Sequence, residues 1–214
     1  MKIIELKNIS FGYENGIILD KFNLSVEEGS MVLLSGPNGC GKTTLLKILN
    51  GLRFPSSGSF LFNSEPVTEK LLKDDSKKKA FHQKIGYVFQ NPDVQLFCNN
   101  VFDEVAFGPR QMGLSDQDIE RRVKDCLSFF DIYELKERAP YHLSGGEKRK
   151  VAIASVMAMN PEVYIFDEPT NDLDRDSKKK LFELIKGLKQ NGKTIICVSH
   201  DLDMSELADH VVKM

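Results

Sequence analysis

The stretch Gly36-Pro37-Asn38-Gly39-Cys40-Gly41-Lys42-Thr43 constrains this chain more than any other. It satisfies G-x-x-x-x-G-K-[ST], follows the apolar run Met31-Val32-Leu33-Leu34, and opens into Thr44-Leu45-Leu46-Lys47-Ile48-Leu49, whose spacing predicts a helix. A glycine-rich turn between a buried strand and a helix N-terminus lets successive backbone N–H groups converge on phosphate oxygens, and the helix dipole favours the anion. Lys42 is expected to reach the β- and γ-phosphates and the Thr43 hydroxyl to bind Mg²⁺, with Asn38, Gly39, Cys40, Gly41 and Thr44 completing the cradle. A strand-to-helix turn without a ligand could be spelled similarly, but the strand before and helix after are the context that phosphate binding requires.

Composition is that of an ordinary soluble globular protein. At 214 residues, 41% hydrophobic and 28% charged, the chain can bury a core as one compact unit with subdomains. A net charge of −2 gives no global pull toward nucleic acid or anionic lipid. Lys77-Lys78-Lys79 and Lys178-Lys179-Lys180 therefore read as solvated faces. Cys40, Cys98, Cys126 and Cys197 lack C-x-x-C spacing, which suggests neither a zinc site nor a disulfide framework and fits a reducing cytosol. Charges interrupt the apolar pattern of Met1-Lys2-Ile3-Ile4-Glu5-Leu6, unlike a signal peptide, and no run approaches the roughly 18 apolar residues of a membrane span. If the protein serves transport, the pore is expected in another chain.

Residues 2–10 and 17–26 alternate as antiparallel strands broken by the turn-forming Glu14-Asn15-Gly16, and residues 58–63 add a similar piece, predicting a small β subdomain beside the phosphate loop. Tyr13 could stack on adenine or simply pack. Residues 69–84 read as a polar surface loop or helix end. Residues 85–89 form a buried strand that delivers Gln90 at its C-terminal end, where open α/β sheets face their ligands. Residues 91–113 read as loop-rich, with Val94, Leu96, Phe97, Val101, Phe102, Val105 and Phe107 either packing beneath a helix or forming a surface for a partner. Ser115-Asp116-Gln117-Asp118 then starts a helix whose Ile119, Val123, Cys126, Leu127 and Phe130 share a face.

Three later stretches carry chemistry. Leu143-Ser144-Gly145-Gly146-Glu147 begins a helix, where a hydroxyl and free N–H groups make either a second small anion site or only an N-cap. Val163-Tyr164-Ile165-Phe166 is a buried-type strand ending in Asp167-Glu168-Pro169. Two carboxylates there are costly unless used: Asp167 to hold Mg²⁺ and Glu168 to accept a proton from an attacking water. After the turn Asn171-Asp172-Leu173-Asp174 and a helix over 177–188, the strand 194–199 presents His200 beside the same sheet edge.

From Ile3 nearly to the C-terminus, this ordered set resembles the ATP-binding subunit of ABC transporters. The resemblance implies an α/β, P-loop NTPase (RecA-like) fold: a parallel-sheet core with an antiparallel β subdomain over 1–90 and 160–214, and an inserted α-helical subdomain over about 91–159. It implies Tyr13 on adenine, Gln90 sensing Mg²⁺ and the membrane partner, Glu168 as general base, His200 at the γ-phosphate, and residues 171–174 crossing between subunits. ATP would lie between Lys42, Thr43, Gln90, Asp167, Glu168 and His200 of one subunit and Ser144, Gly145 and Gly146 of a second. Phe89-Gln90-Asn91-Pro92-Asp93-Val94-Gln95-Leu96-Phe97 with Val105-Ala106-Phe107-Gly108-Pro109 is similar to the cobalt-transport and energy-coupling-factor branch, whose ATPases drive uptake of transition-metal ions or vitamins. The implied partners are a transmembrane subunit and a second ATPase, at the cytoplasmic face of the membrane, with no nucleic acid. The competing reading is a soluble ABC-type ATPase switching on nucleic acid or ribosomes. Glu147 stands where many members have Gln, and Asn-Asp-Leu-Asp is unusual wording for this branch. The chain stops at Val211-Val212-Lys213-Met214 where branch members generally continue, implying a short or truncated member.

Overall fold

The computed structural model describes residues 1–14 and 16–214. The strands β1 (Lys2–Tyr13) and β2 (Gly16–Glu27) pair antiparallel with Ile4 opposite Val26 and Leu6 opposite Leu24. The expected turn between them includes Asn15, which lies outside the described residues. Next come β3 (Met31–Ser35) and α1 (Lys42–Leu49), then β4 (Ser57–Phe62) and the two-residue β5 (Glu65–Pro66), which complete the antiparallel sheet in the order β2-β1-β4-β5.

Of the two readings of the polar segment after β5, loop or helix end, the structure shows helix throughout most of it. Thr68 caps α2 (Glu69–Leu72) by accepting from the Leu71 N–H, and Asp74 caps α3 (Asp75–Lys84) by accepting from the Lys77 N–H. Each short helix thus satisfies a first-turn donor with a side chain. The chain continues through β6 (Ile85–Val88), α4 (Val101–Gln111), α5 (Asp116–Phe129), α6 (Gly145–Met159), β7 (Val163–Asp167), α7 (Arg175–Gln190), β8 (Thr194–Val198), α8 (Leu202–Leu207) and β9 (His210–Lys213). The second sheet runs β6-β7-β8-β3-β9 with parallel neighbours.

The parallel sheet is buried on both faces, and alternation along its strands assigns each side chain to one of two cores. Val32 and Leu34 of β3 face α1 and the antiparallel sheet, together with Ile165 and Ile196. Met31 and Leu33 face the other way with Tyr164, Phe166 and Ile195, onto a core that includes buried residues of α4, α5, α6 and α7.

The loop expected over 91–113 is corrected at α4. Asn100 caps it, accepting from the Asp103 N–H at 2.7 Å, and Val101, Val105, Ala106 and Pro109 form its buried face. Gly and Pro weaken a helix interior, but Pro109 lies two residues before this helix ends, and packing of the apolar face outweighs its missing N–H. The strand β9 was not anticipated; it is four residues long and lies at the sheet edge beside β3.

Gly86 of β6 sits where α6 crosses the sheet, and a Cβ there would collide with Val156 Cγ1 and come within 2.9 Å of Pro161 Cγ. Gly187, inside α7, has open space in the same direction. Urea denaturation is expected to find Gly86→Ala less stable by about 1–3 kcal/mol. Gly187→Ala is expected to be more stable by roughly 0.5–1 kcal/mol. Equal effects of the two would contradict this packing.

Candidate active site

The phosphate loop joins the C-terminal end of β3 to the N-terminus of α1. Gly39 and Gly41 hold φ of 83° and 103°, a region that favours glycine, so the loop can curl its N–H groups inward. A Cβ on Gly41 would also come within 2.8 Å of Ile18 Cγ2, showing how closely β2 presses on the loop. The nearly buried Lys42 ammonium donates to the carbonyls of Gly36 at 2.7 Å and Pro37 at 2.9 Å, which fixes a cation at the loop mouth.

A cleft of about 330 Å³ opens over this loop. Asn38, Gly39, Gly41, Lys42, Thr43 and Thr44 line one side, and Gln90, Asp167 and Glu168 the other, so most of the residues expected from separate motifs converge here. Cys40 does not line it; its Sγ lies 3.9 Å from the Lys42 ammonium. Tyr13 stands outside it at the end of β1, half-exposed, with its ring edge-on to Phe11 at 5.0 Å. His200, largely exposed, lines an adjoining hollow with Asn38, Gln90, Glu168 and Asn171.

Asp167 and Glu168 differ in how they are held. Asp167 is almost fully buried; Thr43 Oγ1 lies 3.5 Å from its Oδ1 and the Tyr87 hydroxyl donates to its Oδ2 at 3.1 Å. Burial pushes its carboxyl above the usual range, opposed by those two hydrogen bonds and by the charges of Lys47 and Arg149. Glu168 adopts a φ of 49°, while its N–H donates to the Val198 carbonyl at 2.9 Å, pinning the turn to β8. A non-glycine residue in this region is strained by roughly 1 kcal/mol or more. Its Oε1 lies 3.3 Å from His200 Nε2, and burial raises its carboxyl despite the opposing influence of His200.

Ser144, Gly145 and Gly146 lie at the start of α6 and not in the cleft. Ser144 takes the N-cap position, one of the two readings of this stretch. Ser144 Oγ donates to Glu147 Oε2 at 2.7 Å and accepts from the Glu147 N–H at 3.3 Å, while Glu147 Oε2 also accepts from the Ser144 N–H. This closed capping box holds the Glu147 carboxyl below its usual range. A Cβ on Gly146 would meet the Asp172 carbonyl oxygen at 2.8 Å, so the turn at residues 171–174 rests directly on this helix start.

Two residues escaped sequence reasoning. Arg149 sits in the basic run Lys148-Arg149-Lys150 yet is fully buried, in helical register with Ile153 and Val156. Its guanidinium donates to the Phe89 carbonyl at 2.6 Å and to the Gln90 carbonyl, and lies 3.9 Å from Asp172. It thereby ties α6 to the backbone that carries Gln90 and to the 171–174 turn. Its register with the apolar face was the available signal. Tyr87 was read only as an apolar strand residue, and nothing in the sequence indicates that its hydroxyl reaches Asp167.

A phosphate loop facing two strand-end carboxylates across a parallel sheet, with a histidine beside them, defines a P-loop ATPase. The family model described as ABC transporter matches residues 19–171, and the chain belongs to that family. It is 47% identical over 199 residues to the nickel import ATP-binding protein LarO of Lactiplantibacillus plantarum, covering 93% of this chain and 83% of that one. The structure of CbiO1 from Clostridium perfringens, part of the ABC transporter complex CbiONQ, superposes with a TM-score of 0.82 at 35% identity, covering 100% of this chain and 84% of that one. A dimeric ATP-binding cassette in a post-hydrolysis state with ADP and Pi gives a TM-score of 0.90 at 29% identity, covering 99% and 94%. The fold and family expected from the motifs are borne out, and the protein is an ATP-binding and ATP-hydrolysing cassette.

The raised Glu168 carboxyl makes a prediction about stability. Between the ordinary glutamate value and the raised one, the folded chain binds more protons than the unfolded chain, so stability falls as pH rises through that window. Glu168→Gln removes this cost. The variant is expected to be more stable than the parent at neutral pH by about 0.5–2 kcal/mol. The difference should shrink as pH falls toward the usual carboxylate range; a pH-independent difference in denaturation midpoints would contradict it.

Proposed function

We propose that this cassette energises uptake of a transition-metal ion or a vitamin through a separate membrane subunit, with ATP held between two cassettes. The observation that carries the sandwich is spatial: the phosphate loop, Gln90, Asp167 and Glu168 share one cleft, whereas Ser144, Gly145 and Gly146 stand outside it. A second cassette can supply the missing side, in keeping with the dimeric assembly of the ADP- and Pi-bound neighbour. The import role is supported by the relative named for nickel import and by the neighbour from the CbiONQ complex.

In this reading Lys42 and the loop N–H groups bind the β- and γ-phosphates, and Tyr13 stacks on adenine. Glu168 accepts the proton of the attacking water, and His200 steadies the γ-phosphate end. Mg²⁺ fits the donor set: Thr43 Oγ1 and Asp167 Oδ1 are hard oxygens 3.5 Å apart, Gln90 lines the same cleft, and Asp167 is a buried carboxylate in want of positive charge. When bound, the ion neutralises charge developing on the transferring phosphoryl group. Ser144, Gly145 and Gly146 of the second cassette close over the γ-phosphate with the first-turn N–H groups of α6.

Among the described residues, no helix is long and apolar enough to cross a membrane. The relative named for nickel import supports a peripheral place at the cytoplasmic face, held by a membrane partner. The apolar residues of 91–113 divide between two environments. Val101 and Val105 are buried, but Val94, Phe97 and Phe107 are exposed, and Phe97 and Phe107 meet edge-on at 4.9 Å. Phe97 and Phe107, with Tyr87 and Phe89, line a groove that suits an apolar segment of the membrane subunit.

Glu168→Gln is expected to bind ATP while losing roughly 10²- to 10⁴-fold in turnover, as for loss of a general base. Near-parental phosphate release by that variant would overturn the assignment. If two copies suffice, specific ATPase activity should also rise with protein concentration toward a plateau. A flat, very low rate would assign the second position to a different cassette.

A further inference from the structure

The two oxygens of Asp167 have different neighbours, which raises the question of what sets the plane of a carboxylate expected to serve a metal ion. Oδ1 lies 3.5 Å from Thr43 Oγ1, while Oδ2 receives one hydrogen bond among the described residues, from the Tyr87 hydroxyl at 3.1 Å. The donor is held in turn. Tyr87 belongs to β6, pairs with Ile165 of the adjacent β7, is buried, and packs its ring on Phe89 with centroids 4.3 Å apart. An ordinary phenol is protonated at neutral pH, so the hydroxyl is available as a donor to Oδ2.

We infer that Tyr87 is a positioning residue for the ATPase reaction: its hydroxyl holds Asp167 Oδ2 so that Oδ1 is presented, with Thr43, to the divalent cation of the nucleotide. This rests on the reading of Thr43 and Asp167 as the cation's protein partners. A hydrogen-bonded neighbour of a ligating carboxylate fixes its orientation and preserves its basicity. Without that donor, one buried oxygen would lack a partner and the carboxylate could rotate away from Thr43.

Tyr87→Phe removes one oxygen and keeps the ring in place. The test uses the full chain with ADP and Mn²⁺ as an EPR-visible probe, alongside ADP affinity in EDTA. Mn²⁺ affinity is expected to fall by about 10- to 100-fold, as for other outer partners of metal ligands. Metal-free ADP affinity and the thermal midpoint should stay near the parental values. In turnover, the free Mg²⁺ needed for half-maximal rate should rise while the rate at saturating Mg²⁺ recovers to within a few-fold. Unchanged Mn²⁺ affinity, or an equal loss of metal-free ADP binding, would overturn the inference. Asp167→Asn separates the two levels. If it keeps parental Mn²⁺ affinity, the metal reading itself is wrong; if it loses affinity while Tyr87→Phe does not, only the role of Tyr87 fails.

Discussion

Burying two consecutive carboxylates at the end of a fully apolar strand is the constraint on which this molecule depends. Asp167 and Glu168 are both nearly inaccessible, and burial pushes both away from the charged form. The chain offsets part of that cost locally. Tyr87 and Thr43 face Asp167, His200 faces Glu168, and the Glu168 backbone is locked onto β8 in a strained conformation. Positive charge sits across the same cleft, on Lys42, tethered to the loop it belongs to. Such an arrangement is poor for stability; in the function proposed above it serves to hold a metal–nucleotide complex and activate water.

The rest of the fold keeps these groups in register. A parallel sheet covered on both faces brings the ends of β3, β7 and β8 to one edge, and the alternation of its side chains leaves little freedom to shift. Arg149 extends that order outward. From within α6 it binds the carbonyls of Phe89 and Gln90 and approaches Asp172, so the helix start bearing Ser144, the loop after β6 and the turn after β7 share one buried cation. Its Nε has no partner among the described residues, so burial here is tolerated for what the fork connects. Tyr87 makes a comparable link, with its ring on Phe89 and its hydroxyl on Asp167.

Much of the site was legible because its chemistry conflicts with its surroundings. Glycines and a lysine between a strand and a helix, paired carboxylates ending Val163-Tyr164-Ile165-Phe166, and a histidine after Thr194-Ile195-Ile196-Cys197-Val198-Ser199 each stand out locally. What stayed hidden depends on tertiary packing. The face of α4 outweighs the breakers Gly108 and Pro109, the register of Arg149 is masked by its lysine neighbours, and the Ser144 hydroxyl is engaged by Glu147. The short edge strand β9 gains its structure from β3 more than from its own pattern.

The central claim is that ATP turnover at these carboxylates drives a membrane partner. It is tested most directly by purifying the tagged full-length chain from mildly solubilised native cells and identifying what accompanies it by mass spectrometry. The account predicts recovery of a polytopic membrane subunit in fixed proportion to the cassette. Recovery with ribosomes or nucleic acid, or alone from the soluble fraction, would contradict it.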